Sequence, residues 1–542
     1  MKPSLVLAFA LLALAGCERA PKPTCPAGKL CMHIGNQADP TSLDPQVITT
    51  FQADAVVADL FVGLLTEDAN AKPIPGVAES WTTSRDGLVW TFKLRDSTWS
   101  DGVPLTAEDF VYSFRRLQSP ETAAQPSYLS YVLRNAEAIN TGKAKPETLG
   151  VRAIDAHTLE LTLEHPAPYL PSLLVHTSLY AVPRHVISRW GDAWIKPPHV
   201  VSNGPFTLDY AKLGDRTRLL KNPRFYDAKN VCLDEVYLYP TADSISAERR
   251  VRAGQLDVNT DIQSNRIAYV RGQIPDYVRT YPWLGTVYLA FNQKLPKFKD
   301  ARVRQALSMA MDREFITAKL LRGSQPPAYG FVTPGVQGYG DGVKAAWAGW
   351  PLSKRQDEAK RLLAAAGYGP GNPLKTAIKI RNISDPMLIM PAIQADWRAI
   401  GVEVALEPEE SQIAYADFRA RNFEIADASW IADFDDPLTY LALLQTKTGV
   451  QNYGDYSNPA YDALLERSER EPDPGKRMAV LKQAERMMVE DAGVAPIYFY
   501  ISKNLVNPAV TGWLENVPDH HRRRWVCFKD AAARRAANKG TG

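Results

Sequence analysis

Alternating and helical hydrophobic patterns recur along the chain and predict a mixed α/β protein. Residues 80–84 and 88–94 alternate around Asp86 and Gly87, a dipeptide that accepts the positive φ angles of a tight hairpin turn. Residues 106–109 then form a capping box, and apolar residues recur at helical spacing after it. We therefore predict a hairpin followed by a helix, with the aromatic side chains of both packed in a core.

The same patterns continue in the second half of the chain. Helices are predicted at residues 301–321, 353–366, 388–400 and 474–490, and strands at 377–380, 402–406 and 497–501. Gly367 ends the second helix, and Asp473 and Pro474 are suited to the first positions of the last one. The strand–helix–strand order around the third helix is the βαβ pattern of an α/β lobe.

The N-terminus carries an export signal. Lys2 precedes an apolar run over residues 5–15, and small residues lead to Cys17. The run is shorter than the roughly 20 residues that span a bilayer. We predict a lipoprotein signal peptide over residues 1–16 and a lipid on Cys17. The alternative is an ordinary cleaved signal beside an unmodified cysteine, and Glu18 leaves open whether the inner or the outer membrane holds the anchor.

Length and charge narrow the class of protein. A chain of 542 residues exceeds what one hydrophobic core usually serves, so at least two lobes are expected. With Lys+Arg 63 against Asp+Glu 60, the balanced charge argues against a nucleic-acid partner. The small basic excess is local. We interpret residues 520–524 as a solvated charged turn rather than a contact for metal, heme or anionic lipid, and we expect the tail over 531–542 to be disordered.

Four cysteines follow Cys17, and an even number suggests two disulfides in an oxidising compartment. Three connectivities are possible. We favour Cys25 with Cys31, which closes a local loop, and Cys232 with Cys527. A zinc site is the rival interpretation, but no CxxC motif or nearby histidine pair supports it.

Motifs for catalysis are missing from the sequence. It contains no P-loop, no HExxH, no GxSxG and no cysteine in a nucleophile context. Asp435 and Asp436 could form an acid/base pair, but neighbours in sequence rarely face each other across a cleft. We therefore predict a protein that is not an enzyme and that holds neither a cofactor nor a metal.

The most informative acid is Asp433. It follows an apolar stretch from 428 and precedes an aromatic residue, two more acids and Pro437. A desolvated carboxylate is costly unless a cation meets it. Asp433 is therefore either paired within the chain, which is the simpler interpretation on composition alone, or left for a cationic ligand.

Several stretches together resemble one family. They are PTSLDP at 40–45, AESW at 78–81 with WSDG at 99–102, DARVRQAL at 300–307 with MDR at 311–313, and residues 430–437. On these stretches the chain resembles the oligopeptide-binding components of bacterial ABC importers, the large peptide-binding class of periplasmic solute receptors, from about residue 30 to 528.

The resemblance implies an α/β fold of two lobes joined by two crossing strands, with an extra subdomain inserted in the first lobe. Ligand would lie between lobes that close by hinge motion. The expected boundaries are 17–52, 189–278 and 498–530 for the first lobe, 53–188 for the inserted subdomain and 279–497 for the second lobe.

The resemblance also implies a monomeric receptor that holds an extended oligopeptide by backbone hydrogen bonds and delivers it to an ABC permease in the inner membrane. Asp433 matches the acid that pairs with the α-ammonium group of the ligand. The other expected contacts are the backbone groups of Ser429 and Ile431, with Asp39 and Pro40 near the opposing strand, and Tyr128 and Trp430 as lining residues.

This chain departs from the best-known relatives at the far end of the ligand. Asp427 stands where those relatives have an arginine that grips the carboxylate of short peptides, and an acid there would repel that group. Met387 stands in place of a histidine, and Arg381 is a candidate replacement for the lost cation. A cysteine pair that ties the cleft in some relatives is replaced by Gly285 and Ile431.

Two other functions stay open. On the same fold, the departures at Asp427 and Met387 motivate a receptor for murein peptides, heme or another non-standard ligand. From another class, a surface hydrolase or a chaperone-like protein is the further alternative.

Overall fold

The computed structural model describes residues 25–323 and 325–538. The predicted signal peptide and the lipid site at Cys17 lie outside these residues. The strands are β1 Cys31–Gly35, β2 Leu65–Glu67, β3 Pro73–Pro75, β4 Ala78–Thr83, β5 Val89–Leu94, β6 Val151–Asp155, β7 Thr158–Thr162, β8 Phe206–Lys212, β9 Arg216–Lys221, β10 Glu235–Tyr239, β11 Val258–Asn259, β12 Val278–Phe291, β13 Lys375–Arg381, β14 Glu403–Glu409, β15 Ile425–Ile431, β16 Val494–Val506, β17 Val510–Thr511 and β18 Cys527–Phe528.

The helices of the same residues range from single turns to 17 residues. They are α1 Phe51–Leu60, α2 Ala107–Gln118, α3 Ala136–Asn140, α4 Leu170–Leu173, α5 Arg184–Trp190, α6 Ser244–Arg252, α7 Ile267–Gln273, α8 Pro296–Lys299, α9 Ala301–Ala310, α10 Arg313–Phe315, α11 Leu352–Ala365, α12 Ser384–Ala399, α13 Ser411–Ala420, α14 Leu438–Leu441, α15 Pro459–Arg470, α16 Pro474–Glu490 and α17 Ala531–Ala537.

Two long central strands connect the two lobes. The main sheet has the order β14-β13-β15-β12-β16-β11-β1-β10-β9-β8. Residues 278–282 of β12 pair with 501–505 of β16 on the first-lobe side, and residues 286–290 pair with 494–499 on the second-lobe side, with an irregularity between Pro282 and Thr286. Both strands therefore cross from one lobe to the other, and the predicted two-lobed α/β fold is confirmed.

Each side of the crossing has its own hydrophobic core. One buried cluster takes residues from Leu30 to Val258 and from Val506 to Phe528, and it includes the four-stranded sheet β4-β5-β7-β6. Two others cover the faces of the second-lobe strands. The predicted hairpin is β4–β5, with Gly87 at φ +74°, and the predicted capping box at Thr106 and Asp109 begins α2. The predicted βαβ unit is β13–α12–β14, whose strands are parallel.

The prediction of one helix over 301–321 is wrong. Met311 is extended, so α9 ends at Ala310, and Asp312 caps the short α10, which continues as a π-helical turn over Ile316–Leu321. Arg313 is fully buried, and its guanidinium donates to the carbonyl groups of Ser308, Ala328 and Pro496. The apolar stripe continues through the break, so periodicity alone does not reveal it.

The prediction of a disordered tail over 531–542 is wrong for residues 531–538, and residues 539–542 lie outside the described part of the chain. Residues 531–537 form α17, and Arg535 donates to Asp234 at 3.0 Å and to the Cys232 carbonyl group at 2.6 Å. The Arg534 guanidinium lies 3.9 Å from the centre of the Phe528 ring. The basic side chains of the tail thus find specific partners on the first lobe. Both favoured disulfides are present in the same lobe, Cys25–Cys31 and Cys232–Cys527.

Residues 522–524 are buried, so the interpretation of a solvated turn is wrong. Arg522 is 6% exposed and pairs with Glu67 at 2.6 Å, and Arg523 pairs with Asp59 at 2.8 Å. Arg524 pairs with Asp227 at 2.7 Å. The acids come from segments hundreds of residues earlier, which is why the local sequence suggests only a charged turn.

Candidate functional site

The candidate site lies along the part of β15 that has a neighbouring strand on one edge only. On one edge, β15 pairs with β12 from Ile425 to Ile431, but on the other edge β13 pairs only with Ile425 and Ala426. β13 ends at Arg381, level with the middle of β15. The edge of β15 after residue 427 is therefore open on the β13 side.

The hydrogen-bond register decides which backbone groups face that open edge. The Ala432 N–H donates to the Leu284 carbonyl group at 2.8 Å, and in an antiparallel pair such bonded positions alternate with unbonded ones. Ser429 and Ile431 occupy the unbonded positions opposite β12, so their N–H and C=O groups point to the open side. These are the two residues that the sequence predicts to offer backbone groups to an extended ligand.

Asp433 lies just beyond this edge. Its Oδ2 accepts a 2.7 Å hydrogen bond from the hydroxyl group of Tyr128, and its backbone N–H donates to Thr439 Oγ1 at 3.1 Å. Burial raises the pKa of the Asp433 carboxyl group, while His176 and the Tyr128 and Thr439 hydrogen bonds act in the opposite direction. No arginine or lysine among the described residues forms an ion pair with it.

The two following acids have partners of their own. Asp436 forms a bidentate pair with Arg477 at 2.6 and 2.9 Å, and both side chains are buried. Asp435 accepts from the Gln337 N–H at 2.8 Å, and burial raises its pKa. The two carboxyl groups are thus committed to different partners, and this geometry gives no support to an acid/base pair.

Asp433 faces a cavity between the lobes. The Trp430 indole N–H donates to Thr439 Oγ1 at 3.3 Å, and the Phe434 ring stacks on Tyr169 at 5.4 Å. The predicted residues Trp430 and Tyr128 therefore lie beside Asp433. The cavity is lined from both lobes and the insertion, including by Glu67, Lys72, Ser172, Leu284, Gln337 and His520.

Asp427 and Arg381 pair with each other. Arg381 Nε lies 3.0 Å from Asp427 Oδ2 and Nη2 lies 3.1 Å from Oδ1, with the two side chains 4% and 0% exposed. Burial acts to lower the pKa of Arg381, but the Asp427 charge outweighs it and the pKa is raised. The negative charge of Asp427 is therefore compensated within the chain by Arg381.

The remaining predicted residues lie elsewhere on the two lobes. Asp39 follows β1, where its carboxylate accepts from the Gly214 N–H at 2.8 Å, and the partly buried Pro40 comes next. Met387 is 40% exposed in the first turn of α12. None of the three lines the cavity around Asp433. Gly285 and Ile431 are direct neighbours across β12 and β15, as expected for positions that could carry a linked pair.

Thr439, His176 and Tyr415 are contacts that the sequence did not reveal. The Thr439 hydroxyl group accepts from the Trp430 indole N–H and from the Asp433 backbone N–H. His176 acts to lower the pKa of Asp433, and the Tyr415 hydroxyl group accepts from Arg381 at 2.9 Å. Nothing in their local sequence distinguishes them. Among residues 25–323 and 325–538 there is also no cluster of metal-ligating side chains, and no helix there is long and apolar enough to cross a membrane.

Comparisons with known proteins agree on one family. The sequence model of the bacterial extracellular solute-binding proteins, family 5, matches residues 72–452. The periplasmic oligopeptide-binding protein OppA of Escherichia coli is 36% identical over 531 residues, which cover 95% of this chain and 96% of that protein.

Solved structures share the fold. Haemophilus influenzae OppA in complex with RPPGFSPFR overlays with a TM-score of 0.85 at 32% identity, covering 93% of this chain and 100% of that one. The Escherichia coli murein tripeptide-binding protein MppA overlays with a TM-score of 0.86 at 33% identity, covering 93% of this chain and 99% of that one. The unliganded open form of MppA overlays less well, with a TM-score of 0.74 at 33% identity. The chain belongs to the bacterial extracellular solute-binding proteins of family 5.

Proposed function

We propose that this chain is the exported receptor of an ABC peptide importer, which binds an oligopeptide in extended form between its lobes and delivers it to the permease. The likeness to oligopeptide-binding relatives over nearly the whole chain supports this function. The ligand would add as a strand to the open edge of β15, through the backbone groups of Ser429 and Ile431.

The observation that carries this proposal is the state of Asp433. Its half-buried carboxyl group lines the cavity between the lobes, accepts a hydrogen bond from the Tyr128 hydroxyl group and forms no ion pair with a lysine or arginine of the described residues, while His176 acts to lower its pKa. Asp436, three residues later, shows how the same loop neutralises an acid that serves the fold. The α-ammonium group of a peptide would provide the missing cation, and a charge-assisted hydrogen bond contributes about 1.5–3 kcal/mol.

Further features belong to the same proposal. The protein would act as a monomeric binding protein without catalytic activity, and Cys17 would carry the lipid that tethers it to a membrane of the bacterial envelope. Asp39 and Pro40 would contribute from the first lobe, and the lobe boundaries would follow those expected from the sequence, with the crossing near Pro282.

Isothermal calorimetry with matched tetrapeptides tests this function. A peptide with a free amino group should bind at least about tenfold more tightly than its N-acetylated counterpart, because acetylation removes the positive charge. Equal affinity for the two would exclude the proposed role of Asp433. Binding of a murein tripeptide alone, with no affinity for ordinary peptides, would redirect the function to cell-wall fragments.

A further inference from the structure

The far end of the open edge is closed by the buried pair of Arg381 and Asp427. β13 ends at Arg381, and between this end and Asp433 the backbone groups of β15 that face the open side are those of Ser429 and Ile431. A ligand strand on this edge therefore runs from Asp433 towards Arg381. Four residues separate Asp433 from Ser429, about 13 Å of extended chain, which is the length of a peptide of about three or four residues.

The hydrogen bonds of Arg381 are largely taken by its own chain. Nε and Nη2 donate to the Asp427 carboxylate, and Nη1 donates to Ser429 Oγ at 2.8 Å and to the Tyr415 hydroxyl group at 2.9 Å. A ligand carboxylate at this place would have to displace neutral hydroxyl groups, and it would meet the Asp427 charge beside the Arg381 charge. The net attraction for an anion is therefore small.

The groups that remain on the ligand side are neutral. Ser429, Tyr415 and Tyr500 are each partly exposed, and their hydroxyl groups lie around the guanidinium. Hydroxyl groups donate and accept, so they can bind a peptide amide as well as a terminal carboxylate.

We infer that the Arg381–Asp427 pair is a specificity determinant, which makes the receptor indifferent to the charge at the carboxyl end of its ligand. The inference rests on the proposed peptide-binding function and names its substrate class. Free-acid peptides, C-terminal amides and peptides that continue beyond the edge are all ligands, provided that the amino end is free.

Calorimetry with one tetrapeptide, as free acid and as C-terminal amide, tests this inference on the unchanged protein. The two affinities are expected to agree within about threefold, whereas an available arginine would favour the acid by about tenfold or more. A preference of that size for the acid would overturn the inference. If neither form binds, peptide binding itself has failed, and the N-acetyl comparison identifies that case.

Variants test the role of the pair. Asp427→Asn frees the Arg381 charge and should create a preference of about tenfold or more for the acid. The double variant Arg381→Met with Asp427→Leu removes both charges and should keep the wild-type ratio of affinities for the free acid and the amide. The protein should still fold, because hydrophobic side chains of similar volume can replace a buried ion pair. Asp436→Asn breaks a buried pair of the same kind and is the matched control, with an unchanged ratio. A folded Asp427→Asn protein with the wild-type ratio would contradict the inference.

Discussion

The hydroxyl group of Tyr128, in the segment before α3, donates a 2.7 Å hydrogen bond to the carboxylate of Asp433, in the loop after β15. The two residues are 305 positions apart, and Asp433 also lines the cavity between the lobes. Tyr128 supplies a neutral donor, so it orients the carboxylate without cancelling its charge. In the proposed function, this charge is the one that a cationic group of the ligand would meet.

Substitution of Asp433 is expected to affect binding more than folding. Asp433→Asn should weaken binding of a free-amino tetrapeptide by about tenfold or more, because the charge-assisted bond is lost. The melting temperature of the empty protein should stay unchanged or rise slightly, because the buried charge destabilises the folded state. Calorimetry and thermal unfolding measure the two effects, and a large fall in the melting temperature would instead indicate that Asp433 serves the fold.

Peptide affinity should fall on acidification. The pKa of Asp433 is raised in the empty protein, so the folded state binds this proton more tightly than the unfolded chain does. The ligand ammonium group requires the ionised form, and affinity should be lost as the pH falls through this raised pKa, starting above the pH of about 3.9 at which an exposed aspartate titrates. Calorimetry over a pH series measures the loss, and Asp433→Asn should remove most of it.

Tyr128→Phe should move that pH dependence upwards. The hydrogen bond from Tyr128 favours the ionised carboxylate, so its removal raises the pKa of Asp433 further. The pH at which affinity is half lost should therefore increase relative to the wild type. Tyr131→Phe is the matched control, because Tyr131 donates to Asn140 and not to Asp433. An identical pH midpoint in all three proteins would show that Tyr128 does not influence the acid.

Arg477→Met should destabilise the fold strongly. Arg477 and Asp436 are 2% and 3% exposed, and removal of one partner leaves the other charge buried without compensation. Loss of one member of a buried pair costs about 3–5 kcal/mol. Denaturant unfolding of the empty protein measures this loss. A change below about 1 kcal/mol would mean that Asp436 finds another cation or becomes protonated at little cost.

Local elements of the fold were predictable from the sequence. The hairpin around Gly87, the capping box at Thr106 and the helix over 474–490 depend on interactions within a few residues, and all three are present. The break at Met311 was not predictable, because the apolar stripe passes through it and the buried Arg313 that stabilises the broken form binds carbonyl groups from other segments.

The sequence by itself determined the family, the α/β lobes and the position of one acid placed in apolar surroundings after a strand. Only the tertiary structure decided which charged side chains have an ion-pair partner. Asp427 is paired with Arg381, and Arg522 is paired with Glu67. Asp433 contacts only neutral donors and lies near a histidine. The physical reason is the distance along the chain over which each kind of interaction acts. Backbone preferences and side-chain periodicity act over a few residues, whereas the cost of a buried charge depends on groups that packing brings together from 46 to 455 positions away.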